Sequence, residues 1–164
     1  MPLLKVTIDG QETLLRALGV VEKSVHDWRP AWEECEKLFY EIEGNQFASQ
    51  GSRGGNPWVK LSEGYGKWKA LHHPGKPLLV VDGTLRDSLQ GKGDGAIRDI
   101  QPDSLTLGSS IPYAAYHQRG TSRMPARPPM VITPSDLGQF TRRLLKHMET
   151  AGTVAGFGVK RANA

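Results

Sequence analysis

Apolar and polar residues alternate at the start of the chain and then adopt helical spacing. Leu4, Val6 and Ile8 are separated by polar residues, which predicts a half-buried strand over residues 3–9. Residues 11–24 are spaced as a short helix. Its apolar stripe comprises Leu14, Leu15, Leu18 and Val21.

The strongest helical pattern lies between residues 30 and 47. Pro30 suits the first turn of a helix, and apolar residues then recur at steps of three and four. The recurring positions are Trp32, Cys35, Phe39, Ile42 and Gln46 or Phe47. We therefore expect a long helix that buries this stripe and is closed by Gly51.

Glycine and proline are frequent between residues 51 and 77, which predicts a long loop interrupted by one short helix that Ser62 caps. Loops of this length within a compact domain are usually functional or mobile. Residues 78–89 predict a short helix or turn leading into a strand, and residues 90–95 a flexible hairpin tip. Two strands should follow, joined by a turn at residues 101–104.

A further strand is predicted at residues 130–133 and an amphipathic helix at residues 135–150, with Ser135 as its N-cap. The residues expected to face inward on this helix are Leu137, Phe140, Leu144 and Met148, and those expected to face outward are Arg142, Arg143 and Lys146.

Together these elements predict an α+β fold, with a small, mainly antiparallel sheet and helices packed on one side. At 164 residues with 38% apolar content, the chain suits one domain with its own core. We expect residues 1–150 to form that domain. Residues 151–164 are rich in small residues without periodicity, which predicts a flexible tail.

The composition also bears on location and redox chemistry. The longest apolar run, at residues 78–81, is far shorter than the roughly 20 residues of a membrane-spanning helix. The N-terminus lacks the pattern of a secretory signal, so we expect the protein to stay in the cytoplasm that makes it. The single cysteine, Cys35, excludes an internal disulfide and any cysteine-based zinc site.

The net charge of +4 is distributed unevenly. From Pro112 onward, eight basic residues face only Asp136 and Glu149, so the C-terminal third carries +6 and the rest about −2. Residues 32–44 are by contrast rich in glutamate. Such a chain can bind nucleic acid through its basic end, or bind copies of itself with acidic face against basic face.

Patterns for catalysis and metal binding are weak. No serine or cysteine lies in the glycine-framed turn of a nucleophile elbow, and Cys35 falls in the apolar stripe of the long helix, as an inert core thiol does. His72 and His73 are adjacent, with no carboxylate close in sequence, which disfavours a metal site. The sequence therefore predicts no enzyme, and no catalytic, metal or cofactor site.

Residues 113–129, YAAYHQRGTSRMPARPP, combine two tyrosines, one histidine and three arginines. Aromatic rings among arginines are typical of grooves that bind single-stranded nucleic acid. The alternative is architecture, in which Tyr113 and Tyr116 bury their rings and His117 hydrogen-bonds to nearby backbone. Gly120 would then permit a positive backbone angle before a proline-stiffened, extended arm.

Several short patterns occur in a definite order along the chain. They are Phe47, Trp58 and Leu61; KPLLVVDGTLRDSL with Leu79, Gly83 and Leu85; YAAYHQRGT with Tyr113, His117 and Gly120; and MPARPPMVIT with Arg127 and Pro128. With the last amphipathic helix, this order resembles the phage virion morphogenesis family, the group of Mu-like and P2-like tail-completion proteins, over about residues 30–150. Pro129-Met130 stands where the family usually has a Phe-Leu-like pair, and residues 151–164 lie outside the pattern.

We use the term signature residues for the positions on which this resemblance depends most. They are Trp58, Leu79, Gly83, Leu85, Tyr113, His117, Gly120, Arg127 and Pro128.

The resemblance implies a structural virion protein without catalytic chemistry, which acts at the neck or tail end of the particle and is assembled in the host cytoplasm. Proteins of this kind form rings, commonly sixfold, that finish the tail and support head-tail joining. The implied partners are copies of itself, tail-tube and head-tail connector proteins and the DNA in the channel, but no membrane. The alternative remains a basic nucleic-acid-binding protein that contacts DNA through its C-terminal third.

We expect the subunits to meet basic surface against acidic surface, because head-to-tail contacts can close into a ring. Exposed ion pairs contribute at most about 1 kcal/mol each, so the charges would set register while apolar side chains supply affinity. The expected interface residues are Arg119, Arg123, Arg127, Arg142 and Arg143 on the basic side and Glu33, Glu36, Glu41 and Glu43 on the acidic side.

Overall fold

The computed structural model describes residues 11–156, and the strand predicted at residues 3–9 lies outside them. The elements are α1 (Gln11–His26), α2 (Arg29–Ala48), a 3-10 turn (Ser52–Gly54), α3 (Glu63–His72), α4 (Thr84–Leu89), β1 (Ala96–Ile100), β2 (Leu105–Ser109), α5 (Ala114–Arg119) and α6 (Pro134–Val154). The predicted α+β class is confirmed, with a small antiparallel sheet among helices.

Helix α2 lies against α4, the 3-10 turn and α6 because its apolar spacing keeps one face buried along its whole length. Pro30 occupies the first turn, where its missing amide hydrogen has no helical acceptor to lose. Cys35, Ile42 and Phe47 are almost inaccessible to solvent, so the predicted stripe is confirmed.

A cluster of apolar side chains continues the core from the end of α2 to α4. Phe47 meets Trp58 edge to face, with ring centroids 5.3 Å apart. Val80, Leu85 and Leu89 complete this buried cluster. Two signature residues, Trp58 and Leu85, therefore have core roles.

Strands β1 and β2 pair antiparallel, with Ile100 opposite Leu105. Residues 101–104 join the two strands, as the sequence predicts. Residues 90–95 connect α4 to β1, so their prediction as a hairpin tip was wrong.

The strand predicted at residues 130–133 is not formed. The backbone amide of Met130 donates to Oε1 of Gln118 at 3.2 Å, and the Met130 carbonyl accepts from Nε2 of the same amide at 2.9 Å. Both polar groups that a strand would use are therefore bonded to a side chain. Pro129 and Pro134 flank the segment and supply no amide hydrogen for a ladder.

Helix α6 has Thr133 as its N-cap, and the prediction of Ser135 was wrong. The hydroxyl of Thr133 accepts from the Asp136 amide while the Asp136 carboxylate accepts from the Thr133 amide, which forms a capping box. Pro134 then takes the first helical position, so the cap lies before it. Arg53 of the 3-10 turn forms an ion pair with the same carboxylate.

Helix α6 continues to Val154, so the tail predicted from residue 151 begins inside a helix, and residues 157–164 lie outside the described part of the chain. Leu137 was predicted to face inward but is 57% exposed. The other residues predicted to face inward, Phe140, Leu144 and Met148, are half-buried.

Helix α1 packs against α6, but its leucines do not form the packed face. Ala17 is buried, whereas Leu14, Leu15 and Leu18 are 50%, 60% and 49% exposed. Of the predicted apolar stripe, Val21 alone is half-buried. Within residues 11–156, no helix combines the length and hydrophobicity needed to cross a membrane.

Candidate functional site

Residues 121–129, here called the arm, are fastened to their own chain by Arg127. Its backbone amide donates to the His117 carbonyl at 2.8 Å. Its guanidinium donates from Nε to the Val59 carbonyl at 2.6 Å and from Nη2 to the Lys60 carbonyl at 3.0 Å. Arg127 is only 5% exposed, so its prediction as a surface cation at a subunit interface was wrong.

The arm is held next to Arg127 by the carbonyl of Pro128. That carbonyl accepts from Nε1 of Trp58 at 2.9 Å and from Nε2 of Gln46 at 3.1 Å. A carbonyl with two donors is well satisfied, and both donors come from buried side chains. The arm is therefore part of the folded subunit.

Gly120 lets the chain turn from α5 into the arm. Its φ of 74° lies in the region that favours glycine. A Cβ atom at this position would lie 2.8 Å from the Ala126 amide nitrogen, which is too close for any side chain. The predicted positive backbone angle is confirmed, and the close approach of the arm adds a second reason for glycine.

A groove of about 480 Å³ opens between α3, α4, α5 and the arm. Much of its wall is apolar, with Leu61 and Tyr65 from the region of α3 and Met124 and Pro125 from the arm. The signature residues that line it are Leu79, Leu85, Tyr113, His117 and Arg127. Gly83 is the N-cap residue of α4, which carries Leu85. The signature thus forms the core and wall of one surface feature.

The charged groups of the groove are mostly cationic. Arg127 lines it with its guanidinium bonded to two backbone carbonyls, and the exposed guanidinium of Arg123 has no hydrogen-bond or ion-pair partner among residues 11–156. Lys69 is buried with its ammonium donating to the Pro77 carbonyl, and burial lowers its pKa. Asp82 is the carboxylate in the groove lining.

The aromatic residues of α5 and its N-cap differ from the prediction. Tyr113 and Tyr116 are 42% and 59% exposed, so their rings are not buried. The imidazole Nδ1 of His117 is buried without a hydrogen-bond partner in the described chain, so the predicted backbone contact through this atom is absent. Burial, with a contribution from the positive charge of Arg127, lowers the pKa of His117 and favours its neutral form.

The other arginines proposed for the interface lie at the surface or near it. Arg119 and Arg142 are exposed, as is Arg123 on the arm. Arg143 is half-buried, and its guanidinium donates to the Gln139 carbonyl one turn earlier in α6 at 3.2 Å. These residues occupy separate elements and do not converge on one site.

The acidic residues proposed for the interface divide into two groups. Glu33 and Glu41 are exposed on α2. Glu36 is engaged within the subunit by Arg98, whose guanidinium donates to both carboxylate oxygens at 2.7 and 2.9 Å. Glu43 is fully buried, so its prediction as part of an exposed acidic face was wrong.

Glu43 is the most perturbed carboxyl in the described chain. Burial raises its pKa to about 8, opposed by nearby Arg53 and assisted by Asp136. Neither carboxylate oxygen has a hydrogen-bond partner within residues 11–156. No local pattern indicates this environment, because Arg53 and Asp136 are brought to α2 only by the tertiary fold.

Part of the predicted match between acidic and basic surfaces occurs inside one subunit. Helices α2 and α6 pack together. The pKa of Glu34 is lowered first by Lys37 on its own helix and further by Arg143 and Lys146 on α6. The charges of these two helices therefore contribute to the fold of the subunit itself.

No group of three or more metal-ligating side chains occurs within residues 11–156. Cys35 is a buried thiol whose pKa is raised by burial, which is the opposite of a reactive thiolate. The ring of His72 stacks on Trp68 with centroids 4.9 Å apart, and its Nδ1 lies 2.8 Å from the Trp68 carbonyl oxygen. The observed contacts of His72 and Cys35 are thus packing contacts and hydrogen bonds within the subunit.

Comparison with known proteins identifies the class to which this fold and groove belong. The sequence profile of the phage virion morphogenesis family matches residues 9–149, and the chain therefore belongs to that family. The chain is also similar to Mu-like prophage FluMu G protein 1 of Haemophilus influenzae, with 28% identity over 126 residues that cover 76% of this chain and 70% of that protein. No solved structure was found to match it.

The predicted resemblance is thereby confirmed at the level of the family. A phage structural role in virion morphogenesis follows from family membership and from the Mu-like prophage relative.

Proposed function

We propose that this protein completes the phage tail: copies of it form a ring at the neck end of the tail that supports head-tail joining. The observation that carries the proposal is the family match, which spans nearly the whole described chain. Identical subunits that contact each other head to tail form a closed ring when the rotation between them allows it.

The surface of the subunit supports this assembly role. Leu15 and Leu18 of α1 are 60% and 49% exposed, and Leu71 of α3 and Leu137 of α6 are 78% and 57% exposed. Contiguous apolar patches on a surface mark protein interfaces, and on α1 the exposed leucines are neighbours on one helix. The groove adds a concave apolar feature without a cluster of metal-ligating residues in the part of the chain that the structure describes.

The structure revises the residues that can make the charged part of the contact. Glu43 is excluded by burial, the guanidinium of Arg127 is already bonded to two backbone carbonyls, and Glu36 is already paired with Arg98. Of the predicted charged residues, Arg119, Arg123, Arg142, Glu33 and Glu41 remain exposed, and Arg143 is half-buried. Other neck and tail proteins, such as the tail tube and the head-tail connector, are the further partners we propose.

Deletion of the gene from its phage or prophage tests tail completion. Electron microscopy of the induced lysate should show filled heads and separate tails, and expression of the wild-type gene in trans should restore joined particles. A matched control deletes a gene outside the morphogenesis region and leaves particles intact. Normal joined particles from the deletion strain would refute the proposed function.

DNA binding is the second candidate function, because Arg119, Arg123 and Arg142 are exposed and their guanidinium groups have no ion-pair partner in the described chain. Fluorescence anisotropy with a labelled duplex at several salt concentrations tests it. Contacts from three arginines predict a slope of log K against log salt of roughly −0.9 per neutralised phosphate. A triple Arg→Gln variant should lose that slope, and absence of binding at low salt would reject this candidate.

A further inference from the structure

Helix α1 carries an exposed apolar stripe with one carboxylate in it. Leu14, Leu18, Glu22 and Val25 follow each other at steps of four, four and three residues, so they lie along one face of the helix. Leu15 borders the same face. The three leucines are 50%, 60% and 49% exposed and Val25 is 43% exposed.

The described part of the chain leaves this face unpartnered. Helix α1 contacts α6 through the side that contains Ala17, and the imidazole Nε2 of His147 on α6 lies 3.3 Å from the Ser24 carbonyl. Glu22 is exposed and has no ion-pair or hydrogen-bond partner among residues 11–156. The α1 stripe is thus an apolar surface with a single unpaired negative charge.

The groove has the complementary character. Its wall is mainly apolar. Its charged groups include the guanidinium of Arg123, which has no ion-pair partner within the described residues, and that of Arg127, which is bonded to backbone carbonyls. Asp82 offsets them only in part, because it is one carboxylate beside the two guanidinium groups of the lining. An apolar cavity of about 150 Å³ holds a benzene-sized group, so about 480 Å³ accommodates two or three aliphatic side chains.

We propose that the α1 stripe of one subunit docks in the groove of the next, with Glu22 of the stripe placed against Arg123 of the arm. The inference rests on the proposed ring assembly and names its contact surfaces. An amphipathic helix in a hydrophobic groove is a common recognition mode, with anchors at helical spacing. The two surfaces lie on different elements, as a head-to-tail contact that closes into a ring requires.

Charge distribution favours this arrangement over pairing of two α1 helices. A symmetric α1–α1 contact would bring the two copies of Glu22 towards one another, and like charges across an interface oppose association. In the groove, Glu22 instead meets a cationic surface. Charge complementarity therefore selects a second copy, bound through its groove, as the occupant.

Site-directed disulfide formation in the full-length chain tests the contact. In a Cys35→Ala background, one preparation carries Leu18→Cys and a second carries Met124→Cys. On mixing and mild oxidation, we expect a linked dimer that appears in the mixture at least fivefold more strongly than in either preparation alone. A Leu137→Cys preparation mixed with Met124→Cys is the matched control. Leu137 is about as exposed as Leu18, but it lies on α6 and outside the α1 stripe.

Charge exchange provides a second readout that does not depend on new cysteines. Glu22→Arg and Arg123→Glu should each weaken assembly about fivefold by sedimentation velocity, and the double variant should recover most of the loss. Far-ultraviolet circular dichroism confirms that each variant is folded. Both positions are exposed, so their substitution leaves the core unchanged.

The outcomes separate this contact from the proposed function. Self-linking of the Leu18→Cys preparation, equal linking of the Leu137 control, or a wild-type chain that stays monomeric would overturn the groove contact. Normal assembly of both single charge variants, with no linking in the mixture, would overturn it too and would point to another occupant of the groove. The role in tail completion is tested separately, since it fails only if the deletion strain yields joined particles. Of the outcomes above, only a monomeric wild-type chain would also count against the ring.

Discussion

The guanidinium of Arg127 is the polar group that fastens the arm to the rest of the subunit. It is buried and donates to two backbone carbonyls, those of Val59 and Lys60, and it contributes to the lowered pKa of His117. A planar group with donors in fixed directions suits two neighbouring carbonyls, and a lysine ammonium cannot reach both in the same geometry.

Arg127→Lys should therefore lower the free energy of unfolding by roughly 2 kcal/mol, the scale of a lost hydrogen bond from a charged group. Urea denaturation followed by circular dichroism measures the change. Arg119→Lys, at an exposed position on α5, is the matched control and should change stability little. Equal stability of the two variants would show that the buried bonds contribute nothing.

Glu43 predicts a dependence of stability on pH. Its pKa in the folded chain is raised by burial to about 8, from an ordinary value of 4.5. Between these values the folded state keeps a proton that the unfolded state has lost, so the free energy of unfolding falls as pH rises through this window. The loss of stability caused by the buried negative charge is absent below pH 4.5 and complete above about pH 8.

Glu43→Gln removes the titrating group with little change of shape. Relative to wild type, this variant should gain stability progressively from pH 4.5 to pH 8, by at most about 1.4 kcal/mol per pH unit. Glu41→Gln, at an exposed position on the same helix, should show no such trend. A constant difference between Glu43→Gln and wild type across this range would contradict the buried, protonated carboxyl.

The turn between α5 and the arm is constrained both by conformation and by space. Gly120 has φ 74° and ψ 179°, a region that essentially only glycine adopts, whereas Gly55 has φ 84° and ψ −8°, in the left-handed region. Of these two glycines, only Gly120 would also place an added methyl group against backbone, at 2.8 Å. Gly120→Ala should therefore be destabilised by more than the roughly 1–2 kcal/mol that a left-handed backbone costs a non-glycine residue. Gly55→Ala should show that smaller cost only.

Thermal unfolding of these two variants measures the difference, and hydrogen exchange of the Arg127 amide reports whether the arm has moved. Faster exchange is expected for Gly120→Ala alone, because the bond from that amide to the His117 carbonyl must shift. Identical melting temperatures for the two variants would contradict the steric argument.

Elements governed by local periodicity were predictable from the sequence, and elements governed by distant side chains were not. The apolar spacing of α2 predicted its buried face, and the turn at residues 101–104 predicted the β-hairpin. The segment at residues 130–133 looks like a strand, but a distant amide, that of Gln118, bonds to its backbone. The N-cap of α6 was predicted two residues too late. Pro134 occupies the first helical position, so the cap is the residue before it, Thr133.

The candidate site follows the same division. The signature residues were chosen from the sequence, and the fold places most of them in or around the groove. The burial of Arg127 and Glu43 could not be predicted, since their partners lie in segments far away along the chain. Charge counts treat every arginine and glutamate as exposed, which is why the predicted interface included both.

For the whole molecule, the uneven net charge and the exposed apolar faces imply different responses to salt. Contacts made mainly by apolar side chains are little screened, whereas binding to DNA phosphates depends steeply on salt. We therefore expect self-assembly to weaken less than about tenfold between 0.1 and 0.5 M NaCl, measured by sedimentation velocity. Complete dissociation at 0.5 M would show that charge pairs hold the subunits together.

The hydrogen bond from Trp58 to the Pro128 carbonyl makes tryptophan fluorescence a probe of the arm. An indole that is 5% exposed and donates its N–H to the arm emits in a dry environment, and release of the arm would let water reach it. In a chain whose other tryptophans are replaced by phenylalanine, a red shift in emission would thus reveal arm release without any added label. The fluorescence of Trp58 can therefore report whether the arm is bound or released during particle assembly.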